Sequence, residues 1–372
     1  MNKRKKLLFN WGIADNYGWG IYGFNLLMYG QLRGAFEMVP LEDPSFFYPL
    51  DPLSIKFISE NLPKPNDNFY IDSEDIFLTG LGNVNKKLIK NSCRDIGVIF
   101  SETNPLPQDE INNLKSFEYI IAGSSWNAQT LQMHGIETRT VIQGVDVHLF
   151  RPTPKKFLKD KFVVFSGGKL EYRKGQDILL KAFSIFSSKH KDALLVTSWR
   201  SSAWEKETAS TINYSDICQP LVLSDDIGQS IREWIQGNGV NVEQFICLDI
   251  SPHRLMPEVY REVDLAIFPN RCEAGTNLVA MEALAFGLPS IISRNTGHLD
   301  IIKGDNCIPL ESQSLIDKLS GAQGWGESSV NELVDLMEEV YQGRLRVDSN
   351  EARESMLLHT WEHSINSMMD LF

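Results

Sequence analysis
Two short stretches concentrate residue types able to hold a phosphorylated, hydroxyl-rich ligand. In the first, Gly167 and Gly168 close an apolar run and are followed by Lys169, Arg173, Lys174 and Gly175. Lysines usually serve solubility. Glycines and cations at the end of a parallel strand instead mark the edge where α/β folds bind ligands, and there the cations would neutralise phosphate.

The second stretch runs from Pro269 to Pro289 and carries Glu273 and Glu282. It turns on Gly275, continues through Thr276 and Asn277, and becomes helical near Leu278, stopping at Gly287-Leu288-Pro289. Glu273 lies in the loop, where it is either a dipole-stabilising cap or a ligand contact. Glu282 falls among Leu, Val, Ala, Met and Phe, where an unpaired charge is costly, so it needs a partner. The paired hydroxyls of a ribose are one such partner.

Near the start, Gly18, Trp19 and Gly20 make a glycine-rich turn between an apolar run and a helical pattern. Such a turn either packs helix on strand or brings backbone amides to a phosphate, and the full G-x-G-x-x-G pattern is absent. Glu102 and Asn104 follow another apolar run, where Asx-type turn chemistry before Pro105 accounts for them. Trp19 and the run Phe46, Phe47, Tyr48, Pro49 give this half an aromatic surface. The seven histidines form no metal-ligand spacing, so no metal site is expected.

Elements that could position these residues alternate along the chain. Apolar runs at 7–11, 96–100, 119–122, 162–165, 193–196, 245–248, 265–268 and 290–292 are separated by amphipathic stretches, the pattern of buried parallel strands with helical crossovers. A glycine, two prolines and several lysines at 144–161 break the pattern. The expected division is 1–150, 151–353 and a C-terminal helix at 354–372 with a Leu357, Trp361, Ile365, Met368 stripe.

With 372 residues, two α/β domains are the default. Thirty-six Lys and Arg against 48 Asp and Glu give a net charge of −12, which disfavours nucleic acid as a partner. Five scattered cysteines, without a C-x-x-C pair, fit a reducing cytoplasm. No run approaches the ~18 apolar residues of a membrane span, and the basic opening Lys3 to Lys6 allows at most peripheral contact with anionic lipid.

The motifs together resemble the family-four retaining glycosyltransferases. The likeness rests on Gly168-Lys169-Leu170, Arg173-Lys174-Gly175 and Glu273 to Glu282 followed by Ala-Leu-Ala-Phe-Gly-Leu-Pro. Further matches are Ser125-Trp126-Asn127, Gly144-Val145-Asp146, Phe150-Arg151-Pro152, Asp264-Leu265 and Thr360-Trp361-Glu362. The resemblance implies a GT-B α/β fold: two Rossmann-like domains facing across a cleft, an acceptor-side N-terminal one and a nucleotide-sugar-binding C-terminal one. The last helix would return to the first domain.

It also implies a retaining, metal-independent transferase acting on a nucleotide diphosphate sugar and a hydroxyl acceptor, without a cofactor. A saccharide, a lipid-linked saccharide or a protein could supply that hydroxyl. Lys169, Lys174 and Glu273 would be catalytic. Gly18, Trp19, Gly20, Gly167, Gly275, Thr276, Asn277, Leu278 and Glu282 would bind the donor. Three departures stand out: eight residues separate the glutamates where the family has seven, Lys169 replaces the family's usual Arg, and Phe100 to Pro105 stands where many relatives carry a His, which makes Glu102 and Asn104 candidate sugar or acceptor contacts. The rival activities are a nucleotide-sugar epimerase or hydrolase and a non-catalytic sugar-nucleotide binder.

Overall fold
The computed structural model describes residues 4–46, 50, 52–62, 71–82, 93–202 and 204–372. They form two compact units, Met1–Gly144 with His359–Phe372, and Val145–Leu358.

The first unit holds six strands: β1 (Lys6–Phe9), β2 (Glu37–Pro40), β3 (Ile76–Gly82), β4 (Arg94–Ile99), β5 (Ile120–Ala122) and β6 (Thr138–Thr140). They pair in the order β2-β1-β3-β4-β5-β6, all parallel. The helix Gly18–Arg33 follows β1 directly. Residues 1–3 of the basic opening lie outside the described residues, while Lys5 pairs with Glu74 at 2.7 Å.

The C-terminal stretch is two helices, Ser349–Leu357 and Trp361–Met369, and not the single helix expected over 354–372. The chain breaks because Thr360 is extended and its hydroxyl accepts from the His363 amide at 3.1 Å, a cap worth about 1 kcal/mol. Leu357 is consequently 48% exposed, whereas Trp361, Ile365 and Met368 are buried in the first unit. Trp361 stacks on Tyr22 with centroids 5.7 Å apart, and Arg33 pairs with Asp370 at 2.5 Å. Gly144 makes this docking possible, since a Cβ there would stand 2.3 Å from the Trp361 backbone.

The second unit contains β7 (Phe162–Gly167), β8 (Ala193–Ser198), β9 (Phe245–Cys247), β10 (Leu265–Phe268), β11 (Ser290–Ser293) and β12 (Ile308–Leu310). Their order is β12-β11-β10-β7-β8-β9, again parallel throughout. That is the doubly wound order, which reverses direction between β7 and β10. A small antiparallel hairpin, β13 (Gln313–Leu315) and β14 (Gly326–Ser328), stands beside this sheet in sequence. Leu, Ile, Val and Phe on β7, β8, β10 and β11 are covered by helices on both faces, hence their continuous apolar runs.

Every apolar run expected as a strand is one. β2, β3, β6 and β12 carried weaker signals: Thr138–Thr140 has no large apolar residue, β2 ends in proline, and β3 contains two glycines. Among the described residues no helix is long and apolar enough to cross a membrane.

Candidate functional site
The reversal between β7 and β10 leaves a gap at their C-terminal ends, and both motif stretches start there. From β7 the chain passes through Gly168, at φ +100°, to Lys169 and a single 3-10 turn at Tyr172–Lys174. Gly175 ends that turn at φ +68°, and a Cβ there would lie 2.1 Å from the Pro269 carbonyl oxygen. Glycine therefore lets the turn press against the loop leaving β10. The following helix, Gln176–Lys189, buries Ile178, Leu179, Ala182, Phe183 and Phe186.

Across this contact Glu273 meets the cations. Its Oε1 accepts from Lys174 Nζ and Asn270 Nδ2, and its Oε2 from Arg173 Nη1 at 3.2 Å. The Glu273 amide donates to Thr296 Oγ1 at 2.8 Å, and its carbonyl accepts from the Gly297 amide at 2.9 Å. Glu273 is only 5% exposed. Burial alone would raise its pKa, but the charges of Lys174 and Arg173 overcome this and hold it at about 2. Lys169 stands further out, with Nζ 3.5 Å from Glu171 Oε2, and Glu171 also pairs with Arg173 at 3.0 Å.

Gly275, Thr276 and Asn277 lie buried between Glu273 and the helix Leu278–Phe286. Asn277 occupies the N-cap at φ +62°. Its Nδ2 donates to His298 Nε2 at 3.1 Å, while His298 Nδ1 lies 3.1 Å from the Ser293 carbonyl oxygen. Both ring nitrogens are thus used by a neutral imidazole, and burial pushes this histidine down to about 4. Gly167, the last residue of β7, packs under Val279.

Glu282 sits four residues into that helix, 5% exposed, and finds partners within the unit. His253 Nε2 lies 2.6 Å from its Oε1, and Tyr260 donates its hydroxyl to Oε2 at 2.9 Å. Lys174 and Glu273 are therefore brought into one cluster, whereas Glu282 belongs to a second cluster, on the helix that follows the Glu273 loop.

The other expected residues belong to the first unit. Gly18 and Trp19 begin the helix Gly18–Arg33, Trp19 packs edge-on to Phe100 with centroids 4.9 Å apart, and a Cβ on Gly20 would collide with Ala14. Glu102 and Asn104 are buried after β4. Phe47, Tyr48 and Pro49 lie outside the described residues. Sequence reasoning missed Asn270, His253, Tyr260, Thr296 and His298. Only Asn270, three positions before Glu273, carried a local signal.

Residues 160–322 match the family model for glycosyl transferases group 1. This segment is a glycosyl transferases group 1 domain. It spans β7 through β12 and includes Lys169, Lys174, Glu273 and Glu282. No curated protein sequence matches the chain.

Solved structures are similar over nearly its whole length. Sucrose-phosphate synthase from Thermosynechococcus elongatus superposes with a TM-score of 0.69 at 14% identity, covering 99% of this chain and 98% of that one. A glycosyltransferase from Rickettsia africae gives 0.67 at 11% identity, with 99% and 97% covered. Anabaena HepE in complex with UDP and glucose gives 0.65 at 13% identity, with 99% of each chain covered. At these identities the likeness carries the fold, which is GT-B. A group 1 domain on that fold makes this chain a glycosyltransferase.

Proposed function
We propose that the chain transfers a hexosyl group from a nucleoside diphosphate sugar to a hydroxyl acceptor, with retention and without a metal ion. The observation carrying this reading is the meeting of Lys174 and Arg173 with Glu273 at the reversal point of the second unit's sheet. Anabaena HepE has been solved with UDP and with UDP-glucose, which supports a nucleotide-sugar donor here.

In the proposed reaction the acceptor oxygen bonds to the anomeric carbon while the bond from that carbon to the diphosphate oxygen breaks. The electron pair leaves on the diphosphate, which takes the acceptor proton on the face the new bond forms. Lys169, Arg173 and Lys174 complement the charge that grows on the phosphate oxygens, and the start of the helix Leu278–Phe286 adds its partial positive charge. Glu273 would take sugar hydroxyls once a phosphate draws the cations, and Glu282 would share its carboxylate between His253 and the ribose. Gly275, Thr276, Asn277 and Leu278 would line the donor.

With the cations in this role no metal or cofactor is required. Among the described residues no cluster of three His, Cys, Asp or Glu side chains could hold a metal ion. The deciding experiment is turnover of UDP-, GDP-, ADP- and CDP-hexoses with and without hydroxyl acceptors, in EDTA and after adding Mg²⁺ or Mn²⁺. A transfer product of unchanged anomeric configuration, formed equally in EDTA, is expected. Free sugar or an epimerised nucleotide sugar as sole product identifies the hydrolase or epimerase, and binding without turnover a carrier.

A further inference from the structure
Arg271 is fully buried, yet it touches three segments that build the site. Four of its five N–H groups donate hydrogen bonds. Nε points to Glu327 Oε2 at 2.8 Å, and Nη1 points to the Tyr172 carbonyl and Asp177 Oδ1, each at 2.7 Å. Nη2 lies 2.6 Å from Asp177 Oδ2 and 2.8 Å from Glu327 Oε2. The Tyr172 ring lies 4.0 Å from its guanidinium carbon. Its backbone takes part as well: the amides of Arg271 and Cys272 donate to the Arg173 carbonyl at 2.7 and 3.2 Å, and its carbonyl accepts from Gly326 at 3.0 Å.

The fork therefore spans the turn that bears Arg173 and Lys174, the first turn of the helix after it, and the β13-β14 hairpin. It does so two residues ahead of Glu273. Asp177 is itself held, accepting from Ser215 Oγ at 2.5 Å. A buried ion pair is often no more stabilising than apolar side chains of similar volume, so stability is a weak reason for such a residue. Orientation is a better one, because a planar fork with fixed donor directions sets distances that a point charge does not.

We propose that Arg271, through Asp177 and the Tyr172 carbonyl, is a positioning residue that sets where Lys174 and Arg173 stand relative to Glu273. This rests on the reading that these cations serve a diphosphate sugar. Arg271 itself touches no substrate. A displacement of about 1 Å in such a cluster costs on the order of a hundredfold in rate.

The test separates orientation from stability. Arg271→Met strands Asp177 and lowers the melting temperature, and adding Asp177→Leu should recover most of that loss by replacing the pair with apolar bulk. In the recovered double variant, calorimetric titration with inorganic pyrophosphate should give a Kd raised about tenfold. Its kcat with the preferred donor should fall about a hundredfold, more than KM rises. Arg271→Lys, which keeps the charge and loses the fork, should show the same split if the double variant does not fold. Pyrophosphate affinity and kcat that return with the melting temperature overturn the proposal.

Wild-type protein that binds pyrophosphate but turns over no nucleotide sugar removes the transferase reading and leaves Arg271 to be judged on pyrophosphate affinity alone. Wild-type protein that binds no pyrophosphate removes both.

Discussion
Lys174 and Glu273, 99 positions apart in sequence, form a buried ion pair where the loops after β7 and β10 touch. Glu273 thereby occupies the cations that a diphosphate would need. Removing its charge should have opposite effects on the empty and the ligand-bound protein. Glu273→Gln leaves a buried ammonium uncompensated, so stability without ligand should fall by about 3 kcal/mol. Pyrophosphate should then raise the melting temperature of the variant more than that of wild type, while sugar transfer is lost. An equal or smaller pyrophosphate shift in the variant would show that Glu273 and the phosphate do not compete.

Lys174→Ala tests the other half of the pair. Charge on the leaving diphosphate is greatest in the transition state, so kcat should fall by more than KM for the donor rises. Steady-state kinetics on the folded variant, checked by circular dichroism, measures this. Full turnover would remove Lys174 from the chemistry.

Acid stability should report His298. Its imidazole normally protonates near 6.5 but is held at about 4 in the folded protein. Between those values the unfolded chain binds a proton that the folded chain refuses. Stability is therefore retained above about pH 6.5 and lost as pH falls towards 4, by about 3 kcal/mol in all. Glu273, depressed to about 2, adds a second loss that begins only below about 4.5. Calorimetric melting at pH 7, 5.5 and 4.5 should show a flatter curve for His298→Gln, from a lower starting stability. Parallel curves would falsify the assignment.

Glu282→Gln separates ribose binding from internal pairing. The carboxylate already serves His253 and Tyr260, so the substitution should lower stability modestly. If ribose hydroxyls also use it, nucleoside diphosphate affinity should weaken by about 1.5–3 kcal/mol, and the preference over the 2′-deoxy nucleotide should vanish. A preserved preference would confine Glu282 to holding His253 and Tyr260 together.

The sheet cores were legible because both faces of β7, β10 and β11 are covered, which forces continuous apolar runs. The loop after β7 was legible for a different reason: Gly168 and Gly175 adopt left-handed backbone, as does Gly287 where the helix Leu278–Phe286 ends, and such glycines punctuate a sequence visibly. The partners of the glutamates were not. His253, Tyr260 and His298 approach Glu282 and Asn277 from 21 to 29 positions away, across loops whose geometry no periodicity encodes. Arg271 and Asp177 were hidden likewise, being charged residues in a fully buried pair, whereas sequence statistics place charges on the surface. The break before Trp361 turned on one cap, Thr360, inside a stretch whose apolar spacing suited a single helix.

The first unit is discontinuous, closed by His359–Phe372, while the second is the single stretch Val145–Leu358. During synthesis the second unit can fold as soon as its own residues emerge. The first must wait, with the Tyr22 face of the helix Gly18–Arg33 uncovered, until Trp361, Ile365 and Met368 arrive. At about 5–20 residues per second that delay is on the order of ten seconds or more. The nascent chain therefore carries an uncovered apolar helix face through most of its translation, and it is in that interval, more than after release, that a chaperone would have something to hold.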